Sequence, residues 1–496
     1  MAFVDPFLLT VTLVMTILLV VGNIYFVAKY AHPADSSFDF KVVAFVCAEC
    51  QILLLPLDVS NFRNGTNVDM KIFWYIIYMT AAFFIIIILP FALFFYESDE
   101  DKTFKLRLWT ALKYEILLIV IVSIILFGSF AGLRYAQLPL VANTCRFTFT
   151  DSSQFFLAEI NSSTSGCVRT DEQLQITVSF PIYLIGITCW FGWFFLIFFL
   201  GSGLSALPID LINQFRFRPQ PMNEQEFNNC KHELAKKVER LLQIGKSLLE
   251  DKQRSDSMSG FGGWRERRAV GRRQNEFEAN CILAEKEFQR LDNTAQFRNK
   301  VEPLLYYFKL LLGMCSIVIS LIFVIHLFIY LLLNINDRPV HPFINNLLES
   351  LENSKASVFS TVLFAFIGYY FMFAAIKGNV RIGMRCFCFT FYPLMPNETF
   401  VNSFIFNALI MNIWMFSLIQ FLTDMFKDYV RQTSISMIFS VQIKNMNFYQ
   451  YFLRHNVFIY VLTGWFFISL VYFILKPVER INVGQQLKKK DLAARA

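Results

Sequence analysis

Long apolar stretches alternate with short polar stretches along the chain. Each apolar stretch holds about 17 to 30 residues, enough to cross a hydrocarbon core of roughly 30 Å at a rise of about 1.5 Å per helical residue. The stretches are continuously apolar, whereas a transmembrane β-strand alternates apolar and polar positions, so helices are predicted. Nine spans are predicted, at residues 7–30, 41–57, 72–96, 108–133, 176–200, 304–333, 357–376, 404–422 and 457–475.

The first apolar stretch resembles the start of many secreted proteins only in its position. No basic residues precede it, and it contains no cleavage site of small residues. A signal peptide would show both features. We therefore predict that it is retained as a span.

One long polar segment, residues 215–303, lies between the fifth and sixth spans. Apolar residues recur in it at heptad-like intervals, at Phe227, Leu234, Leu241 and Leu248, and then at Phe277, Cys281, Ala284, Phe288, Leu291 and Ala295. Residues 255–273, rich in serine, glycine and arginine, separate the two seams and are typical of a loop. The pattern predicts an antiparallel helical hairpin with coiled-coil-like packing.

The predicted fold class is thus an all-α polytopic membrane protein with nine transmembrane helices and a cytosolic helical hairpin. Its predicted parts are a five-span bundle at residues 1–204, the polar loop at 205–303, a four-span bundle at 304–476 and a basic tail at 477–496. The arginines within 265–273 are interpreted either as contacts to anionic lipid headgroups or as part of a solvated loop.

Composition and charge add an orientation to this picture. The chain is 55% hydrophobic and 17% charged, whereas soluble domains are nearer about 25% charged. Lysines and arginines cluster at residues 102–107, 377–385 and 488–490, and nine spans place all three clusters on one side. By the positive-inside rule that side is cytosolic, so the N-terminus is predicted to be lumenal or extracellular and the C-terminus cytosolic. The membrane is predicted to be the plasma membrane or an endolysosomal one.

Glycosylation sequons are consistent with this orientation. Asn64 and Asn161 begin sequons that fall on the lumenal side, and they are the candidate glycosylation sites. The sequon at Asn397 falls on the cytosolic side, so we predict that it stays unmodified.

The cysteines fall into two groups. Cys145 and Cys167 share the lumenal loop between the fourth and fifth spans, where an oxidising compartment allows them to form a disulfide. Cys47 and Cys50 form a CxxC inside a span. A zinc or redox site would need thiolates and usually more ligands, so small, buried and inert cysteines are the favoured interpretation.

A short motif occurs twice, as LPLDVSN at residues 55–61 and LPIDLIN at residues 207–213. Each places a proline and then an aspartate, Asp58 or Asp210, near the end of an apolar stretch. The two aspartates fall at opposite membrane faces, as in an inverted repeat that builds a transport site. Two independent helix ends are the other interpretation, because proline and aspartate are both common there.

Polar residues inside the spans are the remaining candidates for chemistry, because an ionisable group there is costly and faces a partner or a cavity. Glu49 is the best candidate for a functional carboxylate, and a protonated acid bonded to a neighbouring helix is its structural alternative. His326 is interpreted as a packing residue rather than a sensor. The others are Glu115 and Lys309, predicted to extend to the interface, and Asn407, Asn412 and Gln420, predicted to bond between helices.

Signatures of catalysis are missing from the sequence. It contains no phosphate-binding glycine loop and no metal-ligand cluster, and its five histidines are scattered. We predict no enzymatic activity, no cofactor, no metal and no nucleic-acid partner. The stretch LGSGLSALP at residues 200–208 follows a membrane helix, so it is predicted to pack helices closely rather than to bind a nucleotide.

Several motifs resemble the limb region/lipocalin-interacting membrane receptor (LIMR) family, in a version nearer to its plant and protist branch than to its animal branch. They are YAHPAD, LPLDVSN, PFALFFYESDEDKT, GSGLSALPIDLINQFRFRP, SFIFNALIMNIWMFSLIQF and YFLRHNVF, and they span nearly the whole chain. The resemblance implies nine spans, a lumenal N-terminus and a large cytosolic loop.

The resemblance also suggests two functions. The family includes receptors proposed to bind lipocalins, so the chain is expected to be a receptor or scaffold. Its lumenal loops would bind a lipocalin or small hydrophobic ligand, and its cytosolic hairpin a trafficking or signalling partner. A related branch, which this sequence resembles less, acts in lysosomal cobalamin export beside an ATP-driven transporter. The alternative is therefore a transporter, or the accessory subunit of a transporter partner.

Overall fold

The computed structural model describes most of the chain. The described residues are 6–32, 38–63, 68–98, 103–145, 167–218, 224–257, 261–296, 301–335, 338–354, 357–386, 389–392, 394, 396 and 399–475. Three sequon asparagines, Asn64, Asn161 and Asn397, and the basic tail at 477–496 lie outside them.

The described part of the chain is helical, with three antiparallel β-hairpins, of which the first has strands of 11 residues. The helices are α1 (Pro6–Tyr30), α2 (Phe38–Arg63), α3 (Met70–Glu97, with a π-helical turn at Phe84–Ile88), α4 (Phe104–Leu133), α5 (Phe180–Arg216), α6 (Glu224–Ser257), α7 (Phe261–Gln296), α8 (Val301–His326, continued by a π-helical turn at Leu327–Leu332), α9 (Ile344–Glu352), α10 (Ser357–Ile382), α11 (Val401–Met425), α12 (Ser434–Ile443), α13 (Gln450–Leu453) and α14 (Val457–Leu475). The strands are β1 (Tyr135–Cys145), β2 (Cys167–Thr177), β3 (Asn334–Ile335), β4 (Arg338–Pro339), β5 (Met384–Cys386) and β6 (Phe389–Phe391).

Nine of the helices in the described part are long and apolar enough to cross a bilayer. They are α1, α2, α3, α4, α5, α8, α10, α11 and α14. This result confirms the predicted all-α polytopic fold with nine spans and a helical hairpin between the fifth and the sixth. The chain divides into two compact units, residues 1–207 with 319–471 and residues 208–318 with 472–496.

The first unit is organised around α11. This helix is buried on nearly all sides, and α2, α5 and α10 are mostly buried, whereas α4 exposes most of its surface. Since all these helices are apolar around their whole circumference, hydrophobicity alone does not separate the central helices from the peripheral ones.

Glycines bring α5, α10 and α14 into close contact. A Cβ atom on Gly203 would overlap the backbone of Ala374, and one on Gly378 would overlap the carbonyl of Phe199. Ser205 Oγ lies 2.8 Å from Ser469 Oγ across the α5–α14 contact. The predicted close-packing role of this small-residue stretch is confirmed.

The second unit contains the hairpin of α6 and α7. The helices are joined across their contact by Lys237 and Glu287 at 2.8 Å and by Arg273 and Asp251 at 3.3 Å. The predicted loop at residues 255–273 was too long, because α7 already begins at Phe261. Arginine and alanine favour helix strongly enough to outweigh the glycines at its start.

The described residues between α4 and α5 form the two paired strands of a β-hairpin. Strands β1 and β2 pair from Tyr135↔Thr177 to Cys145↔Cys167. The fifth helix therefore starts at Phe180 instead of at the predicted residue 176. The base of β1 is also bonded to the chain before α13, where Gln137 N donates to Asn445 O at 2.8 Å.

We expect Cys145 and Cys167 to form a disulfide, because the register of β1 and β2 places them directly opposite each other. Opposed residues in an antiparallel pair have Cα atoms about 4.5–5.5 Å apart, within the range that a disulfide requires. Peptide mass spectrometry without reduction should recover a Cys145–Cys167 linked peptide. Cys145→Ser should remove it and lower stability by about 3 kcal/mol, whereas the control Cys230→Ser should retain it. Two free thiols in the wild-type protein would contradict the prediction.

Candidate functional site

Asp58 lies inside α2 rather than at its end. Its carboxylate accepts hydrogen bonds from Trp74 Nε1 at 2.8 Å, from the backbone N–H of Ile435 at 2.8 Å and from that of Ser434 at 3.3 Å. The last two donors are the first N–H groups of α12, so Asp58 caps this helix from a different part of the chain. A carboxylate is stabilising there because the N-terminus of a helix carries a partial positive charge.

The helix that Asp58 caps is too short to cross a bilayer. α12 measures about 15 Å or less, and Ile435, Ile438, Phe439 and Ile443 are buried. Phe439 packs against Tyr78, with ring centroids 6.0 Å apart. We call α12 the half-helix, because it lies against the sides of spanning helices without being one.

An ion pair holds the other end of the half-helix. Lys444, which directly follows α12, lies 3.1 Å from the buried carboxylate of Asp424 near the end of α11. A cation at the C-terminus of a helix also interacts favourably with the helix dipole. The sequence interpretation did not single out Asp424 or Lys444, although an aspartate at the end of an apolar stretch was the available signal.

A third group of polar contacts joins α11 to α5. Gln420 Oε1 accepts hydrogen bonds from Trp193 Nε1 at 2.7 Å and from Cys189 Sγ at 2.8 Å. Ser417 Oγ donates to the carbonyl of Cys189 at 2.6 Å. Together with Asn412, which donates to the Ala44 carbonyl of α2 at 3.3 Å, these contacts confirm the predicted interhelical bonding.

Glu49 lies on α2, about two and a half turns before Asp58, and faces α1. Its Oε2 accepts a hydrogen bond of 2.6 Å from Asn23 Nδ2, and both side chains are buried. Asn23 also donates to the Leu19 carbonyl at 3.0 Å. The contact matches the structural alternative, a carboxyl group bonded to a neighbouring helix.

Replacing Glu49 by glutamine should change the stability little, since the amide oxygen can still accept from Asn23. Leucine at this position removes the acceptor, so we expect Glu49→Leu to lower the stability by about 1–2 kcal/mol. Thermal unfolding of the purified variants in detergent measures both effects. Equal losses for Glu49→Gln and Glu49→Leu would show that the charge, not the hydrogen bond, matters.

His326 is fully buried at the end of α8. Its Nε2 lies 3.2 Å from the Met425 carbonyl, and Asn345 Nδ2 donates to the same carbonyl at 3.2 Å. The imidazole stacks on Tyr330 and Phe426, with centroids 5.2 and 5.5 Å away. These contacts are typical of a packing residue. Met425 directly follows Asp424 in the chain.

The loop after α11 is attached to several helices through Tyr429. Arg63 Nη2 donates to the Tyr429 carbonyl at 3.0 Å, and Ser360 Oγ donates to its hydroxyl at 2.9 Å. Burial raises the pKa of Tyr429 to about 12. The hydroxyl therefore stays neutral and donates to Glu352 at 3.3 Å.

The two LPxD motifs do not mark helix ends. Pro56 and Pro208 both lie inside helices, which continue to Arg63 and Arg216. Proline is tolerated within membrane helices when neighbouring groups satisfy the freed backbone. Asp210 is buried near the end of α5 and belongs to the second compact unit, whereas Asp58 belongs to the first.

Within the described residues, no group of three or more His, Cys, Asp or Glu side chains is arranged to hold a metal ion. Cys47 and Cys50 are half-buried free thiols. The arrangement around the half-helix joins carboxylates to N–H donors and to a lysine, and its evident chemical role is to fix α12 between α2, α3 and α11.

Comparisons with known proteins agree with the resemblance noted in the sequence. A family described as LMBR1-like membrane protein matches residues 8–471. A LIMR family protein of Dictyostelium discoideum is 29% identical over 96% of this chain and 99% of its own length. One from Arabidopsis thaliana is 26% identical over 91% of this chain and 92% of its own.

A more distant relative carries a functional name. The lysosomal cobalamin transport escort protein of Bos taurus is 25% identical over 78% of this chain and 71% of its own length. No solved structure matches the chain.

Proposed function

The chain belongs to the LMBR1-like membrane protein family, and we propose that it is a non-enzymatic membrane scaffold or receptor that binds a partner protein through the α6–α7 hairpin. Its place is an endolysosomal or plasma membrane, with the hairpin in the cytosol as the distribution of cations indicates.

Three buried carboxylates of the first unit support the scaffold part of this proposal. Asp58, Asp424 and Glu49 are each bonded to another segment of the same unit. These contacts hold helices together, as a stable scaffold requires, so each of these carboxylates has a structural role.

The hairpin supplies the binding surface. Besides the residues that join α6 to α7, it exposes large apolar side chains, with Leu242, Leu249 and Phe288 each about three-fifths exposed. Leu242 and Leu249 are seven residues apart and so lie on one face of α6. Solvated apolar side chains in a row are typical of a surface that binds another protein.

The alternative function is that of an accessory subunit in transport. It is favoured by the name of the relative from Bos taurus, an escort protein for cobalamin transport. A cavity of about 10 Å³ lies among Phe323, Leu327, Phe421, Leu462 and other apolar residues. It has room for about one water molecule, so this cavity is too small to hold a solute.

The same proposal includes a ligand on the lumenal side of the membrane. The β1–β2 hairpin carries the exposed apolar side chains Leu140 and Leu174, which suit contact with a protein or a small hydrophobic ligand on that side of the membrane. The lumenal ligand is supported by the exposure of these side chains, so the protein partner of the α6–α7 hairpin is tested first.

The test is affinity purification of the full chain from native membranes in mild detergent, with partners identified by mass spectrometry. Leu242→Glu with Leu249→Glu should remove the hairpin partner. The matched control Gln243→Glu, also exposed on α6, should retain it. Endocytic adaptors among the lost partners support the scaffold or receptor, and an ATP-driven transporter supports the accessory subunit. An unchanged set of partners in the double variant would refute binding through the hairpin.

A further inference from the structure

The end of α5 nearest to the α6–α7 hairpin carries two arginines among aromatic residues, in the sequence Phe215-Arg216-Phe217-Arg218. The helix ends at Arg216, and one further turn follows, in which the Arg218 N–H donates to the Phe215 carbonyl at 3.3 Å. This turn brings the Arg218 side chain over the ring of Phe215, with Cζ 4.1 Å from the ring centroid.

Helix α8 supplies a second ring. It packs on α5 at Gly313, where a Cβ atom would lie 3.0 Å from the Ile212 side chain. Nearer to the start of α8, the ring of Tyr307 lies 5.3 Å from that of Phe215 and 5.8 Å from Arg218 Cζ. Rings from two helices therefore hold the guanidinium group in place. Contact with a ring covers the face of a guanidinium and leaves the N–H donors along its edges free to bond.

These residues lie where the apolar parts of both helices end. The sequence contains no Asp, Glu, Lys or Arg at residues 180–209 or at residues 310–336. Phe217 and Tyr307 are each more than half exposed. Aromatic residues are enriched at the level of the lipid headgroups, and arginines near helix ends extend to the same level. The position of these side chains is thus that of the membrane surface.

Neither arginine is paired with a carboxylate in the described ranges of the chain. Arg216 Cζ lies 5.5 Å from the ring centroid of Phe217, and Arg218 Nη1 donates to the Phe215 carbonyl at 3.1 Å. The acidic residues nearest to them in the sequence or on α8 are Asp210, Glu224, Glu226 and Glu302. The two positive charges and most of their N–H donors are therefore available to a ligand.

The hairpin that follows differs in this respect. Its Lys237 is paired with Glu287, and its Arg273 with Asp251. The arginines at the end of α5 thus carry positive charge that this part of the chain does not neutralise, at the level where phospholipid headgroups lie.

We propose that Arg216 and Arg218 bind the phosphate of an anionic phospholipid in the leaflet on the hairpin side of the membrane. A guanidinium can donate two parallel N–H bonds to two phosphate oxygens. The rings of Phe215 and Tyr307 hold that of Arg218 before the lipid arrives, so binding costs less side-chain entropy. Two positive charges favour a lipid with a net negative charge over a zwitterionic one. The proposal does not depend on which protein binds the hairpin.

The first test is native mass spectrometry of the full chain in mild detergent, with phosphatidylserine or phosphatidylcholine of identical acyl chains. The wild-type protein should bind phosphatidylserine more tightly. Arg218→Gln should weaken this binding about fivefold, and Arg216→Gln with Arg218→Gln about 25-fold, because each arginine near a membrane surface contributes a similar attraction. Binding of phosphatidylcholine should not change. The matched control Arg240→Gln, exposed on α6, removes one positive charge elsewhere and should retain the affinity.

The second test separates a site built around a guanidinium from positive charge alone. Arg218→Lys keeps the charge, but an ammonium group has neither the flat shape that packs on a ring nor two parallel donors. This variant should lose part of the affinity that Arg218→Gln loses. Inorganic phosphate at the same concentration should not displace phosphatidylserine, since it lacks the acyl chains that contact the exposed rings.

Several outcomes would overturn the proposal. They are equal affinities of the wild-type protein for the two lipids, an unchanged affinity for phosphatidylserine in the double variant, and a loss for Arg240→Gln as large as that for Arg218→Gln. Displacement by inorganic phosphate would show a site for free phosphate instead of a lipid. If the double variant does not fold, Arg218→Lys decides, and an unchanged affinity in that variant overturns the role of the guanidinium.

Discussion

Asp58→Ala should be the most damaging single substitution in the first compact unit. The change removes the acceptor for Trp74 Nε1 and for the first two N–H groups of the half-helix α12. The N-cap residue of α12, Thr433, still accepts from the Ser436 N–H at 3.3 Å, so the loss comes from the donors that Asp58 binds, and each buried donor without a partner costs about 1–3 kcal/mol. We therefore expect a loss of about 3 kcal/mol or more, measured as a lower melting temperature and a smaller monodisperse fraction in size-exclusion chromatography.

Two further variants make this prediction specific. Asp58→Asn keeps one acceptor oxygen but turns an amide N–H₂ group towards backbone donors, so its loss should be intermediate. Asp69→Asn is the matched control, because Asp69 caps α3 through one exposed bond of 3.1 Å to the Lys71 N–H. It should cost well under about 1 kcal/mol. Equal losses at Asp58 and Asp69 would contradict the role of Asp58 in holding the half-helix.

Gly203→Leu should separate α5 from α10. Even the Cβ atom of a larger residue would overlap the Ala374 backbone, which cannot move aside as a flexible side chain can. Overpacking usually costs about 1–3 kcal/mol, and a clash with backbone belongs at or above the upper end. We expect a large fall in melting temperature and reduced yield of folded protein.

The control for this prediction is Gly128→Ala on α4. A Cβ atom there meets nothing within 4 Å. Alanine also favours helix over glycine by up to about 1 kcal/mol. Gly128→Ala should therefore leave the melting temperature unchanged or raise it. A Gly203→Leu protein that melts like the wild type would show that α5 and α10 do not pack through this glycine.

The LPxD motifs show how similar sequences acquire different surroundings. Asp58 reaches the half-helix because α2 continues past Pro56 to Arg63, next to the N-terminus of α12. Asp210 follows Pro208 in the same way, yet lies in the other compact unit. Neither motif reveals the partners of its aspartate. The N–H groups of α12 that bond to Asp58 lie several hundred residues away in the sequence.

The class of protein and the number of spans follow directly from the amino-acid sequence. Continuous apolar stretches, glycine-rich packing positions and heptad-like spacing are local properties, and a bilayer imposes the same length on every span. The resemblance to the LIMR family likewise rests on motifs that can be read directly, and the match of the LMBR1-like family to residues 8–471 confirms it.

Which polar residues contact one another is seen in the three-dimensional structure and could not be read from the sequence. The structure places Asp58 at the N-terminus of α12, pairs Asp424 with Lys444, and buries Glu115 without a hydrogen-bond partner among the described residues. The structure also shows that the strands before α5 pair as a β-hairpin and that α12 is a half-helix. The physical reason is that the energy of a buried polar group depends on the donors and acceptors around it, and these come from distant parts of the chain.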